Sequence, residues 1–229
     1  MNAMISRRAL LGGGCILPLL ALPGCSTLGD LGGFGFEDAI RRLLTISSQR
    51  AFANLLQDEG FFQDDLARVT LPPQLGGSGA ASILSALLRT SSVQNQLLHL
   101  VNKAAAQAAE NAAPIVYDSI RNMTITDAVS IVRGGQTAAT AYLEQSIGDR
   151  IVSALFPGVG NALRALDSGI ISRALGAATG INFSGLQQDV TQKTARGIWN
   201  AIGREEASIR ANPSSANDPV LTGVFGVLG

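Results

Sequence analysis

The sequence predicts an all-α protein, an irregular multi-helix bundle of about seven or eight helices that follows an N-terminal signal peptide. Helix-forming residues dominate the 229-residue chain, of which 46% is apolar. Aromatic residues make up only 5%, and the alternating runs of β-branched residues that are typical of strands are missing. Apolar residues instead recur three and four positions apart, as on the buried face of a helix. The length suits one domain and a leader.

The N-terminus resembles the signal sequence of a bacterial lipoprotein. Arg7 and Arg8 precede an uncharged stretch from Ala9 to Leu22, which is the pattern of an export signal. Leu22-Pro23-Gly24-Cys25 resembles a lipobox, in which the cysteine thiol receives diacylglycerol and a signal peptidase cuts before it. The resemblance implies cleavage between Gly24 and Cys25 and lipidation of Cys25. Ordinary cleavage near Gly24 would leave a free thiol, and a permanent anchor would need roughly 20 apolar residues.

A lipid on Cys25 would hold the protein on a membrane without crossing it. The residue after the cysteine is Ser26. In lipoproteins of two-membrane bacteria, an aspartate at this position favours retention on the inner membrane. The resemblance therefore favours the periplasmic face of the outer membrane. Arg7 and Arg8 also resemble a twin-arginine export motif, and the sequence leaves this route and the general secretory route open. With Cys15 removed and Cys25 acylated, no thiol remains for a disulfide, a nucleophile or a metal ligand.

Composition shifts predict four segments along the chain. These are the signal peptide (1–24), a lipidated tether (25–35), the helical domain (36–213) and a C-terminal tail (214–229). The stretch from Gly29 to Gly35 is rich in glycine, as flexible tethers are. The tail follows Asn212-Pro213 and is expected to be loose, with an apolar tip at Val224 and Phe225.

The first predicted helix carries apolar residues at helical spacing from Phe36 to Leu55 and ends at Gly60. A short segment follows as far as Val69, and Pro72-Pro73 prevents helix there. Helix is expected to resume near Ser82.

The next predicted helix is longer and starts at Ser91 or Ser92. Pro114 is expected to bend or split it. Thr124-Ile125-Thr126-Asp127 predicts another helix start, since hydroxyl and carboxylate oxygens accept from the first unpaired amides. Gly134-Gly135 closes that short helix.

Three more segments complete the domain. One helix runs from about Thr137 to Leu155 and is expected to stop at Pro157-Gly158, and a further segment covers 161–178. Ser184-Gly185-Leu186-Gln187 matches a capping box and opens the final helix. The apolar residues of that helix fall on one face: Leu186, Val190, Ile198, Ile202 and Ile209.

Two stretches resemble a family of bacterial exported proteins catalogued only as a domain of unknown function. The first runs from Met123 to Leu143 and includes Thr124-Ile125-Thr126-Asp127 and Gly134-Gly135. The second runs from Val190 to Pro213 and includes Glu205-Glu206. The resemblance extends from Phe36 to about Phe225 and implies an all-helical domain behind a secretory leader, with no assigned activity. The stretch between Pro157 and Gly180 departs from it, because it is rich in Gly and Ala rather than charged.

No catalytic, metal or cofactor site is predicted. His99 is the only histidine, so a catalytic triad would have to use it and a three-histidine metal site is impossible. It lies between Leu98 and Leu100, which favours a packed or half-exposed imidazole over a catalytic base.

Adjacent carboxylates do not predict a hydrolase either. Glycoside hydrolysis needs two carboxyl groups that face each other across a cleft, and neighbouring helical residues point in different directions. Glu206 and Arg210 are spaced i and i+4, which predicts a surface ion pair. The doublets are Glu37-Asp38, Asp58-Glu59, Asp64-Asp65 and Glu205-Glu206.

One candidate binding patch lies within the family-like segment. It comprises Asp127, Arg133, Thr140 and Tyr142. The structural alternative is that Asp127 caps its helix and that Tyr142 packs with its hydroxyl at the surface. Trp199, beside Ile198 on the final helix, is expected in the core rather than on a sugar-stacking platform.

The charge balance excludes one partner class, and three function hypotheses remain. Arg7 and Arg8 belong to the leader, which leaves fifteen basic and seventeen acidic residues and a formal balance of −2. Nucleic-acid binding needs a clustered basic face and is set aside.

The first function hypothesis is a non-catalytic envelope lipoprotein that binds a protein or another envelope component. The second is a periplasmic carrier of an apolar small molecule or lipid, and the third is a hydrolase. A closed apolar cavity in the structure would favour the carrier, and an exposed apolar patch would favour the binding protein. The oligomeric state stays open.

Overall fold

The structure, a computed structural model, describes residues 34–71, 90–165 and 183–228. All regular elements in these ranges are helices, which confirms the all-α prediction. The predictions for Arg7, Arg8, Gly24, Cys25 and a helix near Ser82 lie outside the described residues. The elements are α1 (Phe34–Leu55), α2 (Gly60–Gln63), α3 (Ser91–Asn122), α4 (Ala128–Val132), α5 (Ala138–Ala165), α6 (Phe183–Ala211), a 3-10 helix (Pro213–Ala216) and α7 (Pro219–Leu228).

Four long helices form a bundle around one core. α3 packs on α5, α5 on α6, α6 on α1 and α1 on α3. Burial of large aliphatic side chains from all four helices is the main favourable term in folding. The apolar face predicted for the final helix is buried along its whole length, as expected. The largest fully buried side chains include Ile40, Leu43, Ile120, Leu143, Ile151, Leu155, Ile198 and Ile202.

Small residues set the close approach of α3 and α5. Five alanines of α3 between Ala104 and Ala112 are fully buried, and a Cβ on Gly158 would lie 3.4 Å from Cα of Ala108. The predicted end of the helix at Pro157-Gly158 is therefore wrong, because Gly158 packs against α3 and α5 continues to Ala165. Pro114 likewise lies inside one continuous helix and does not split it. Packing of these faces outweighs the backbone hydrogen bond that each proline removes.

The segment that follows α2 is fixed between α3 and α6. The buried Asn102 side chain bonds both backbone groups of Val69: Nδ2 donates to the carbonyl oxygen at 3.0 Å, and Oδ1 accepts from the amide at 2.8 Å. On the other side, a Cβ added to Gly197 would lie only 2.7 Å from the Ala67 carbonyl oxygen. Glycine at this position lets the segment lie directly on the α6 backbone.

The starts of two helices and the C-terminal tail differ from the sequence prediction. α1 begins at Phe34, two residues before the predicted domain start at 36. α6 begins at Phe183, and the Gln187 side chain donates to the Phe156 carbonyl on α5 (2.6 Å) rather than closing a capping box. The expectation of a loose tail is wrong, because Val224 and Phe225 are buried and α7 is an ordered helix. None of the described helices combines the length and hydropathy needed to cross a membrane.

Candidate functional site: the groove between α5 and α6

α5 and α6 run antiparallel and leave a groove between them that is open to solvent. Their direction follows from two contacts, since Thr140 bonds Glu206 while Phe156 bonds Gln187. Two adjoining depressions of about 370 and 430 Å³ share Glu144 and Trp199. We call their combined lining the α5–α6 groove. It consists of Leu66, Thr137, Thr140, Ala141, Glu144, Gln145, Gly148, Asp149, Val152, Gln192, Ala195, Arg196, Trp199, Asn200, Gly203, Arg204 and Ala207.

The groove owes its depth to short side chains on both helices. Ala141 and Gly148 line it from α5, and Gly203 and Ala207 line it from α6. A Cβ on Gly203 would lie 3.2 Å from Cγ2 of Thr137, so a larger residue would begin to close the gap. Trp199 is 95% buried, which confirms its predicted place in the core, and one edge of it also borders the groove.

Two exposed apolar side chains lie on or near the groove. Leu66 lines its rim and is 56% exposed. Phe156 is 40% exposed and lies on the same face of α5 as Val152, four residues earlier. The α5 lining runs from Thr137 to Val152, a distance of about 22 Å at 1.5 Å per residue. The groove is thus as long as a four-turn helix or a six- to seven-residue extended segment, on the order of 20 Å.

The charged side chains of the groove fall into two groups. Arg204 forms a two-pronged ion pair with Asp64, in which Nη1 and Oδ1 are 2.9 Å apart and Nη2 bonds Oδ2. Hydrogen bonds from Arg204 lower the pKa of Asp64 below its ordinary value; partial burial opposes this, and the Leu66 and Ala67 amides reinforce it. Glu144, Asp149 and Arg196 form no ion pair with any other described residue.

A buried polar network closes one end of the groove. Glu206 accepts hydrogen bonds from the Ala139 amide (3.0 Å), the Thr140 amide (2.6 Å) and Thr140 Oγ1 (2.7 Å). Arg210 bonds Glu206 at 2.7 Å and donates to the carbonyls of Ile131 and Val132. The predicted surface position of the Glu206–Arg210 pair is wrong, because Glu206 is fully buried. The carboxylate satisfies unpaired amides at the start of α5, where a negative charge is stabilised.

The structure places the four residues of the predicted binding patch in three different surroundings. Asp127 accepts from the Ser130 amide at 3.1 Å and caps α4, as the structural alternative proposed. Tyr142 donates to the Thr124 carbonyl at 2.8 Å, and both Asp127 and Tyr142 line a shallow depression between α4 and α5. Thr140 is buried against Glu206 at the floor of the groove. Arg133 is exposed at the end of α4. A binding role for the patch stays a prediction.

The remaining candidate groups have structural partners. His99 is half-exposed, stacks on Phe62 with ring centroids 3.9 Å apart, and lies 2.6 Å from Glu59. In the described ranges, no cluster of three or more His, Cys, Asp and Glu side chains could hold a metal ion. One carboxylate of every predicted doublet has a side-chain partner within the fold. Asp38, Asp64 and Glu206 form ion pairs with Arg42, Arg204 and Arg210, and Glu59 lies within hydrogen-bond distance of His99.

Comparison with known proteins identifies a family without an assigned activity. The family described as protein of unknown function (DUF4197) matches residues 31–226. Because the match covers most of the chain, the protein belongs to this family, as the two family-like stretches implied. No curated protein and no solved structure matches the chain.

The two family-like stretches meet at the groove. The stretch from Met123 to Leu143 supplies α4 and the first turns of α5, and the stretch from Val190 to Pro213 supplies most of α6. The Glu206–Arg210 network joins them directly. Sequence reasoning missed the role of Leu66 and Arg204, because their place at the groove depends on a segment more than a hundred residues away in the chain.

Proposed function

We propose that this protein is a lipid-anchored protein of the bacterial cell envelope whose helical domain binds a protein partner through the α5–α6 groove. The groove is the observation that carries the binding role. Leu66 on its rim and Phe156, one turn beyond Val152 on α5, supply apolar anchors. Glu144, Asp149 and Arg196, which form no ion pair with another described residue, supply polar recognition. Protein interfaces combine apolar anchors with polar groups in this way.

The shape of the groove favours a segment of a protein over a small molecule. Sites for small molecules are concave and bury most of the ligand surface. The α5–α6 groove is a long depression open to solvent, and a helix or an extended segment of a partner could lie along it. A carrier would need a closed apolar cavity, whereas the α5–α6 groove is long and open to solvent.

The lipid anchor rests on the N-terminal sequence and has its own test. We expect the full-length chain to carry acyl groups on Cys25 and to sediment with membranes, and Cys25→Ser to lose both properties. Cys15→Ser is the matched control and should be acylated normally, since Cys15 is removed with the signal peptide. Mass spectrometry of the mature protein and fractionation of the cells measure both effects. Acylated, membrane-bound Cys25→Ser protein would contradict the anchor.

The binding role is tested by a photoreactive amino acid at Gln145, which is exposed and lines the groove. We expect it to form a defined crosslinked adduct in intact cells. Ala141→Arg places a long charged side chain in the groove without touching the core, and should remove the adduct. Ala53→Arg makes the same change at an exposed position of α1 and should leave it. An adduct that survives Ala141→Arg would show that the groove is not the binding surface.

A further inference from the structure

The C-terminal helix α7 has an uncharged outer face, formed by Pro219, Thr222, Gly223, Gly226 and Val227. Its inner side is buried through Leu221, Val224 and Phe225. On the outer side Val227 is 76% exposed, and a Cβ on Gly223 or Gly226 would meet no atom within 4 Å. No charged residue follows Asp218 in the sequence. Surface helices of globular proteins ordinarily carry polar and charged residues on the outer side, so this face suits a nonaqueous neighbour.

α7 lies at the end of the bundle where α1 begins. Asp218 caps α7 through the Val220 and Leu221 amides and pairs with Arg42 of α1 at 3.0 Å. The neighbouring Arg41 bonds carbonyls at the C-terminal end of α3, which places the early turns of α1 at that end of the bundle. The Phe225 ring lies 4.7 Å from the Arg210 guanidinium, near the end of α6.

The distance from the proposed lipid to this end of the bundle is limited by the chain. Cys25 precedes Phe34, the first residue of α1, by nine residues. Nine extended residues span at most about 30 Å. An anchor on Cys25 therefore keeps the start of α1 within about 30 Å of the membrane surface. Asp218 at the start of α7 pairs with Arg42, about 12 Å farther along α1, so α7 is also held near the membrane, and even a weak contact is favoured by a high local concentration.

We infer that the outer face of α7, centred on Gly226 and Val227, rests on the lipid bilayer that holds the acylated Cys25. The inference rests on the lipid anchor of the proposed function and adds an orientation to it. With α7 on the bilayer, the start of α5 and the end of α6 lie near the membrane. The α5–α6 groove extends away from the membrane. The groove is then presented to partners in the aqueous space.

The test uses the full-length acylated protein in phospholipid vesicles with a fluorophore on a single cysteine. The mature chain has no other free thiol when Cys25 is acylated, so Gly226→Cys labels one position in open space. Ser91→Cys, at the exposed start of α3 and about 45 Å along that helix from its other end, is the control. Lipids with a quencher near the headgroup should quench the fluorophore at 226 several-fold more than the fluorophore at 91. Val227→Asp should reduce the quenching at 226 several-fold, with an unchanged circular dichroism spectrum.

The outcomes separate this inference from the anchor itself. Protein without acyl mass that fails to float with the vesicles refutes the anchor. Acylated protein that floats, but whose positions 226 and 91 are quenched equally, refutes only the contact of α7 with lipid. A disulfide between the introduced cysteines of two Gly226→Cys chains, together with weak lipid quenching, would show that a second copy covers α7 and would also overturn the inference.

Discussion

The two ion pairs that α6 makes through Arg204 and Arg210 differ in their burial and in the elements they join. The side chains of Glu206 and Arg210 are 0% and 9% exposed, and those of Asp64 and Arg204 are 12% and 39% exposed. The first pair lies within one helix and bonds α4 and the start of α5. The second pair fixes the segment that carries Leu66 to the rim of the groove.

This difference separates a stabilising end of α6 from the stretch that we propose binds a partner. Both carboxylate oxygens of Glu206 and all three guanidinium nitrogens of Arg210 have a partner inside the protein, so loss of the pair would leave buried groups unsatisfied. About three turns before Glu206, Arg196 lines the groove and forms no ion pair with another described residue. We therefore expect substitutions near the C-terminal end of α6 to change stability and substitutions along the groove to change binding.

The largest effect should come from Glu206→Ala. The substitution leaves the Arg210 guanidinium buried without its carboxylate and removes the acceptor of the Ala139 and Thr140 amides. Breaking a buried pair in this way costs about 3–5 kcal/mol. Urea unfolding of the chain from Ser26 onwards, followed by circular dichroism, measures the loss.

Glu205→Ala is the matched control for that measurement. Glu205 is the preceding residue, is only half-buried and forms no ion pair in the described structure. Its substitution should change the free energy of unfolding by no more than about 0.5 kcal/mol. Equal losses for the two variants would show that the network around Glu206 contributes little to stability.

The sequence predicted the helices better than it predicted what lies between them. Helical spacing identified the buried face of α6, and the chemistry of Asp127 identified the cap of α4, because both depend on residues a few positions apart. The burial of Glu206 and the groove depend on contacts between segments that are distant in the chain. The predicted helix end at Pro157 is wrong for the same reason, since the neighbouring Gly158 packs on α3.

A second comparison uses two glycines with opposite surroundings. A Cβ on Gly197 would lie 2.7 Å from the Ala67 carbonyl oxygen, so Gly197→Ala should displace the segment held by Asp64. We expect a loss of about 1–2 kcal/mol, because the overlap costs more than the helix propensity gained. Thermal unfolding of the variant measures the change.

Gly148→Ala tests the same exchange where there is room. The nearest atom to an added Cβ is 3.8 Å away, at Cγ of Glu144, and the position lies within α5. Alanine should raise the free energy of unfolding by about 0.5–1 kcal/mol through its better helix propensity. If Gly197→Ala also stabilised the protein, the segment after α2 would not be packed on α6 as described.

The effect of the part-buried Asp64–Arg204 pair on stability depends on pH. The pKa of Asp64 is lowered in the folded protein, above all by hydrogen bonds from Arg204, so the ionised carboxylate favours folding. This contribution is fully present above the unfolded pKa of about 3.9 and is lost as the pH falls through the folded pKa. Asp64→Asn should therefore destabilise the protein by about 1 kcal/mol at pH 7 and by less near pH 2, since solvent screens the pair. The stability of this variant should fall less steeply than that of the wild type between about pH 5 and pH 2.

Asp65→Asn changes a neighbouring carboxylate that is 91% exposed, and its curve of stability against pH should run parallel to that of the wild type. Parallel curves for both variants would mean that Arg204 does not hold Asp64 in solution, and the rim of the groove at Leu66 would then lose its support.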